Sequence, residues 1–195
     1  LTKRMSEFRK IQDPLDKFYD GYERNNPNIL KHLESCLKKG RPFHYLFTGV
    51  VGCGKTYLAR NIVKVTQMRW EVVKVKKHYS KYLEFLGGDY TDKWDAIRNL
   101  GKVVNSQCLV IDDLGNEKPG TEAAHDYFSG LVESRYDHLD GHLRSTRTVI
   151  TTNLDAQELI DHYGSRLLDR IKERFIICKF NTTSFREKQS EVIAE

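Results

Sequence analysis

The octapeptide Gly49-Val50-Val51-Gly52-Cys53-Gly54-Lys55-Thr56 constrains this chain more than any other stretch. It stands directly after the apolar run Phe43 to Phe47 and directly before a helix-forming segment, Tyr57 to Thr66. Its three glycines let the backbone curl so that successive N–H groups converge on one point, and a helix that starts there aims the positive end of its dipole at the same point. Such a concavity suits a chain of phosphates. Lys55 adds a point charge for the β- and γ-phosphates, and the Thr56 hydroxyl is of the kind that ligates Mg²⁺. Gly49, Val50, Val51, Gly52, Cys53, Gly54, Lys55, Thr56 and Tyr57 are therefore the candidate nucleotide-binding residues, with Thr56 also a candidate metal ligand.

Strand-like and helix-like segments alternate along the rest of the chain. The patterns predict strands over 44–48, 70–75, 108–112, 148–152 and 175–180. They predict helices over about 55–67, 79–87, 92–104, 121–138 and 155–173, the last broken near Gly164. Asp155 with Glu158 and Ser184 with Glu187 have capping-box spacing, and the second pair predicts a short C-terminal helix. Strands separated by helices imply a parallel sheet covered on both faces, hence an α/β fold. The run Cys108-Leu-Val-Ile-Asp112, apolar at consecutive positions, reads as a strand buried on both sides.

At 195 residues and 39% hydrophobic, the chain has material for one well-cored domain. Residues 1–40, polar and punctuated by Pro14, Pro27 and Gly40, read as a lead-in, and residues 41–195 as the nucleotide-binding domain. No run approaches the roughly 18 apolar residues of a membrane span, and the first residues lack a signal-type apolar core, so no membrane partner is expected. Cys36, Cys53, Cys108 and Cys178 show no metal-type pairing, and a disulfide at Cys53 would distort the phosphate loop. Reduced thiols in a cytoplasmic setting fit best. The chain opens on Leu1, so a module that binds a partner is expected to precede it.

Three further sites carry chemistry. In Cys108-Leu-Val-Ile-Asp112-Asp113-Leu-Gly-Asn-Glu117, an apolar strand ends in carboxylates, which in a phosphate-loop fold lie beside the loop. Asp112 is the candidate Mg²⁺ partner, through water, and Asp113 the candidate group that orients or deprotonates the attacking water. Glu117 is either a second base or a loop residue that fixes its neighbours. Asn153, at the end of Thr148-Val-Ile-Thr151-Thr152, is either a γ-phosphate sensor or a turn residue before the Asp155 cap; alignment with the other sites favours the sensor. Arg166 and Arg170, four apart on one predicted helix, are either a finger reaching a neighbouring subunit's γ-phosphate or an ordinary surface pair with Asp161 or Asp169. Fifty-seven positions separate Lys55 from Asp112, leaving room for a further strand and helices between them. With no Asn-Lys-x-Asp tetrad for guanine, ATP with Mg²⁺ is the expected cofactor pair.

The net charge is +5, and the basic residues are unevenly placed. Lys64, Arg69, Lys74, Lys76, Lys77 and Lys81 interleave with His78, Tyr79, Tyr82 and Phe85. Those are ingredients of a single-stranded nucleic-acid surface. They fit equally a strand Val72, Val73, Val75 with solvated lysines, followed by a helix that buries Tyr82, Phe85 and Leu86.

Taken in order, these sites make the chain resemble the AAA+ ATPases over about residues 45–190, and within them the replicative-helicase loaders of the DnaC and DnaI type and the IstB-type transposition ATPases. Leu109-Val-Ile-Asp-Asp-Leu-Gly-Asn-Glu117 is similar to that branch's aspartate-pair motif. Ser134-Arg135-Tyr136 and Thr148 to Leu154 are similar to its Arg-Tyr element and first sensor, and Ser165 to Arg170 to its arginine-finger helix. Thr183-Ser-Phe-Arg186 resembles its closing motif, which makes Arg186 a candidate second nucleotide sensor. Val50, Val51, Cys53 and Asn181-Thr182 depart from the branch's usual residues. The resemblance implies a three-layer αβα P-loop NTPase with a central five-stranded parallel sheet and little or no separate lid. It also implies assembly into a homo-oligomeric ring or spiral, and action on single-stranded DNA and a replicative helicase or similar client. A transposase with duplex DNA, and a non-hydrolysing nucleotide-gated adaptor, are the alternatives. Asp113, shorter by a methylene than the glutamate of many AAA+ motors, implies a slow, partner-dependent ATPase.

Overall fold

The computed structural model describes residues 29–66, 68–87, 101–117, 122–137 and 146–180. Five strands form one sheet: β1 (Phe43–Gly49), β2 (Trp70–Lys74), β3 (Cys108–Leu114), β4 (Arg147–Thr152) and β5 (Ile176–Phe180). All neighbours pair in parallel, in the order β2-β3-β4-β1-β5. Parallel strands need crossovers, and helices supply them. These are α1 (Ile29–Lys39) before the sheet, α2 (Lys55–Thr66) after β1, α3 (Val75–Gly87) after β2, α4 (Glu122–Asp137) after β3, and α5 (Ala156–Tyr163) and α6 (Ser165–Arg174) after β4.

The strands are apolar at consecutive positions because each feeds two cores. On one face Tyr45 and Phe47 of β1, Val110 of β3, Val149 of β4 and Cys178 of β5 meet Leu33 and Cys36 of α1 and Leu58, Ala59 and Ile62 of α2. On the other, Leu46, Leu109, Ile111 and Ile150 meet Tyr79 of α3, Phe128 and Leu131 of α4, Leu159 of α5 and Leu167 and Ile171 of α6. Alternation along each strand sends neighbours to opposite faces, and each large side chain fully buried in this way contributes about 1.5–3 kcal/mol. The result is the expected three-layer αβα sandwich of a P-loop NTPase. Helix α1 lies inside the segment that reads as a polar lead-in, and it joins the core through Leu33 and through His32, whose ring sits 2.9 Å from the Tyr45 hydroxyl.

The largest departure from the expected boundaries is at the end of β2. Strand β2 stops at Lys74 and the following helix starts at Val75, four residues earlier than predicted. Val75 and Tyr79 are both buried and lie four apart, a helical spacing that the Val73/Val75 alternation masks. The long helix predicted over 155–173 is two helices, as the break near Gly164 requires. Gly164 takes φ 82° between them, and the Asp155–Glu158 capping box starts the first. Of the helix expected over 92–104, residues 101–104 are described and are helical. The Ser184–Glu187 helix and the lid expectation concern residues outside those described.

Arg135, the arginine of the Arg-Tyr element, is an internal strut. It is 4% exposed. Its guanidinium donates to the carbonyls of Val104 (3.0 Å), Ser106 (2.7 Å) and Arg147 (3.2 Å) and to the Thr148 hydroxyl (3.1 Å). It thereby fastens α4 to the start of β4 and to the turn before β3, and burial lowers its pKa to about 10.

Candidate active site

The phosphate loop runs from the end of β1 to the start of α2, at the carboxyl edge of the sheet. Gly49 pairs with Phe180 of β5, and a Cβ on Gly49 would stand 2.5 Å from the Phe180 carbonyl oxygen, so only glycine fits. Gly52 and Gly54 take φ 81° and 97°, the left-handed backbone that turns the loop. Lys55 is 5% exposed, and its ammonium donates to the carbonyls of Gly49 (2.6 Å) and Val50 (2.7 Å). The loop already encircles one positive charge. Cys53 is fully buried with its sulfur 3.5 Å from that ammonium, whereas Val50, Val51 and Tyr57 are exposed. The three branch-atypical residues of the loop thus divide into one that is buried under it, Cys53, and two that are exposed, Val50 and Val51.

Strand β4 lies between β1 and β3, so its end stands between the loop and the two aspartates. The consequence is a line of hydrogen bonds that joins the start of α2 to β3 and β4. The Thr56 hydroxyl donates to Asp112 Oδ1 (2.8 Å), the Thr151 hydroxyl donates to the same oxygen (2.9 Å), and Thr151 Oγ1 accepts from the Asp113 N–H (2.9 Å). Thr151 was not singled out by the sequence, where it reads as one more β-branched strand residue; only the strand order reveals it. A hydroxyl that donates to Asp112 keeps its lone pairs for an oxygen-seeking divalent cation, with the carboxylate behind it as an orienting partner. Thr56 and Asp112 therefore fit Mg²⁺ bound with a nucleotide. Among the described residues no cluster of three His, Cys, Asp or Glu side chains offers an all-protein metal cage, and an ion that retains waters and phosphate oxygens needs none.

Asp113 takes φ 63°, the one non-glycine residue with positive φ among those described. That conformation costs about 1–2 kcal/mol and persists only where surroundings enforce it. Here Thr151 holds its N–H, and its carbonyl accepts from the Asn116 N–H at 3.1 Å. Gly115, at φ 95°, lies so close to Leu154 that an added Cβ would meet Leu154 Cδ1 at 2.5 Å. Glu117 is 5% exposed and takes the role of a loop-fixing residue: its carboxylate accepts from the Gly115 N–H (3.1 Å) and from the Tyr163 hydroxyl. Asn153 is exposed directly after Thr152, whose register partners are Thr48 and Leu114, so it stands at the same edge as the loop and the aspartates.

Arg166 and Arg170 both lie on α6, whose Leu167, Leu168 and Ile171 are buried. Arg166 pairs with Glu133 of α4 at 2.8 Å, and Arg170 approaches Glu173 of its own helix at 3.8 Å. The α4–α6 packing brings Glu133 across, a tertiary approach that helical spacing cannot show. Arg186 and the Thr183–Arg186 motif lie outside the described residues.

The basic stretch separates into two parts. Lys74, Lys76, Lys77 and Lys81 are exposed and, with Ser80, Asp112, Asp113 and Asn116, line a cleft of about 570 Å³. Tyr79 is 3% exposed and packs near Tyr127 and Phe128, and His78 is hydrogen-bonded to the Tyr127 hydroxyl, so Tyr79 is a core residue rather than a stacking platform. The side chains of Tyr82, Phe85 and Leu86 lie outside those described.

Comparison with known proteins bears on this arrangement. The model of the ATPase family associated with various cellular activities (AAA) matches residues 45–178, more than half of the chain. No protein with a curated description matches the sequence. Among solved structures, a DNA replication initiation factor superposes with a TM-score of 0.62 at 19% identity, covering 88% of this chain and 50% of that one. AMPPCP-bound DnaA from Aquifex aeolicus gives 0.63 at 18% identity, covering 86% and 52%, and domain III of the Thermotoga maritima replication initiation protein DnaA gives 0.61 at 17%, covering 85% and 66%. At these identities the likeness is one of fold, and the chain spans about half the length of the first two. No described helix is long and apolar enough to cross a membrane. The phosphate loop, the aspartate-bearing strand and the Thr56–Asp112 bond between them all fall inside the matched segment, and this chain belongs to the AAA family of ATPases.

Proposed function

We propose that this chain binds ATP with Mg²⁺, hydrolyses it slowly in assembly with further copies of itself on single-stranded DNA, and thereby loads or remodels a replicative DNA helicase. The observation that carries the catalytic part is the hydrogen-bonded line Thr56–Asp112–Thr151–Asp113, which joins the phosphate loop to the candidate base. The loop N–H groups and Lys55 bind the β- and γ-phosphates, the ammonium exchanging the Gly49 and Val50 carbonyls for phosphate oxygens. Mg²⁺, when bound at Thr56 and oriented by Asp112, neutralises charge on those oxygens. Asp113 orients and deprotonates water, Asn153 senses the γ-phosphate, and an arginine of a neighbour's α6 stabilises the transition-state charge. Arg166, with 74% of its side chain exposed, is the more accessible candidate, and Arg170, at 33%, the more restrained. Arg186 is assigned to the nucleotide as a second sensor on the branch resemblance.

The DNA part is supported by the lysine-lined cleft. A phosphodiester backbone held by lysines of the cleft that Asp113 also lines would lie near the candidate hydrolytic carboxylates, so that strand binding changes the setting in which Asp113 works. The loader branch is supported by the paired aspartates Asp112-Asp113, and a replication setting by the fold likeness to a DNA replication initiation factor and to the replication initiation protein DnaA. ATP turnover with and without single-stranded DNA, for the wild type, Lys55→Ala and Arg170→Ala, tests the reading. Lys55→Ala loses ATP binding, and Arg170→Ala retains binding but loses most assembled turnover. Full assembled activity in both Arg170→Ala and Arg166→Ala removes the finger assignment, and preference for duplex at fixed salt turns the client toward a transposase.

A further inference from the structure

The sequence leaves Glu117 between a second base and a structural residue, and the structure shows it bonded in two directions. Its carboxylate accepts from the Gly115 N–H, two residues beyond Asp113, and from the Tyr163 hydroxyl. Tyr163 ends α5, and Gly164 follows as the joint into α6, the helix of Arg166 and Arg170. The Tyr163 carbonyl in turn accepts from Ser129 of α4 at 3.3 Å. One buried carboxylate thus touches both the turn that sets Asp113 and the joint that sets the arginines.

Energetics make this pair more than filler. Glu117 and Tyr163 are 5% and 6% exposed, and burying a carboxylate costs several kcal/mol even when it is hydrogen-bonded, whereas two apolar residues would fill the same space at lower cost. What an apolar pair would not do is fix direction. The Asp113 turn is held in a left-handed conformation and Gly115 is pressed against Leu154, so the turn has few ways to move. A bond from that turn to the α5–α6 joint transmits small rotations of the joint to Asp113.

We infer that Glu117 and Tyr163 are positioning residues that couple the two halves of a shared catalytic site. When α6 engages a neighbouring subunit's nucleotide, the shift at Gly164 passes through the Tyr163 hydroxyl to Glu117 and Gly115 and moves Asp113 of the same chain into its working position. Occupancy at one interface thereby sets hydrolysis at the next. The inference rests on the reading of α6 as acting between subunits.

Tyr163→Phe and Glu117→Gln remove or weaken the link while keeping shape. Both should retain ATP affinity within about threefold of wild type while kcat falls about tenfold or more, with the double variant no slower than the slower single, because both break one connection. The coupling itself is read by mixing. Subunits carrying Lys55→Ala, Arg166→Ala and Arg170→Ala retain a nucleotide-free loop and present an α6 without arginines. Added in excess to wild type or to Tyr163→Phe, they replace arginine-bearing neighbours. Wild-type turnover should fall steeply with the fraction of such subunits, about as the square of the remaining arginine-bearing fraction, and Tyr163→Phe, which responds only to the lost arginines, should fall in simple proportion to that fraction. An equal relative fall in the two overturns the coupling and leaves the intersubunit reading standing. No fall in the wild type overturns the intersubunit reading and the coupling with it. Thermal midpoints separate this from a merely structural role, in which stability drops while turnover per folded molecule does not change.

Discussion

Thr151→Val isolates the hydroxyl that joins the two aspartates. Valine matches threonine in volume and strand preference, and position 151 is fully buried, so the substitution leaves no cavity and removes only hydrogen bonding. Two bonds of 2.9 Å are lost: one to the Asp112 carboxylate, worth about 1.5–3 kcal/mol, and one that satisfies the Asp113 N–H, worth about 1–3 kcal/mol. Relaxation of the turn recovers part of the sum, leaving a net destabilisation of about 2–4 kcal/mol, which urea unfolding measures as a shift in midpoint at constant slope. That recovery is itself the catalytic defect. Asp113 at φ 63° relaxes toward an ordinary conformation, and its carboxylate leaves its place. Displacements near 1 Å cost about 100-fold in such sites, so kcat should fall about 10- to 100-fold while the dissociation constant of a fluorescent ATP analogue moves by less than about threefold. Thr151→Ser, which keeps the hydroxyl, should restore most of both losses. A valine variant with wild-type turnover and stability would refute the account of Asp113 as held by β4.

Further outcomes follow from buried groups away from the phosphate loop. Arg135→Met removes a guanidinium that satisfies carbonyls of Val104, Ser106 and Arg147, and should lower unfolding stability by about 3–5 kcal/mol while the remaining folded protein binds ATP normally. Burial, reinforced by Arg135, Arg174 and Arg147, pushes the His44 pKa down from 6.5 to about 4. A base whose folded pKa is depressed is protonated first in the unfolded chain, so stability is unaffected above 6.5 and falls as pH drops from 6.5 to about 4, levelling below that. The slope from this group approaches about 1.4 kcal/mol per pH unit, and His44→Leu should remove it from the pH dependence of the urea midpoint.

What the sequence discloses and what it withholds divide along a physical line. The phosphate loop, the apolar strand ending in Asp112-Asp113 and the Asp155–Glu158 cap are local: glycine freedom, consecutive apolar residues and a three-residue spacing encode them directly. Strand order is not local, and three features depend on it or on helix packing. Thr151 matters because β4 inserts between β1 and β3; Arg166 meets Glu133 because α6 lies on α4; Glu117 meets Tyr163 because α5 ends beside the turn after β3. The helix start at Val75 is hidden for a different reason, since a valine two residues after Val73 and four before Tyr79 satisfies both strand and helix periods until burial decides. Arg135, named by the sequence only through the Arg-Tyr element, is buried because backbone carbonyls replace its water, which local spacing does not show.

The central claim is an ATP site completed between copies of this chain. Its most direct test is the rate of Mg²⁺-dependent ATP hydrolysis per subunit, measured over a wide range of protein concentration with and without single-stranded DNA. The account predicts a per-subunit rate that climbs with concentration, climbs at lower concentration when DNA is present, and stays low throughout for Asp113→Asn. A per-subunit rate independent of concentration and of DNA would contradict it.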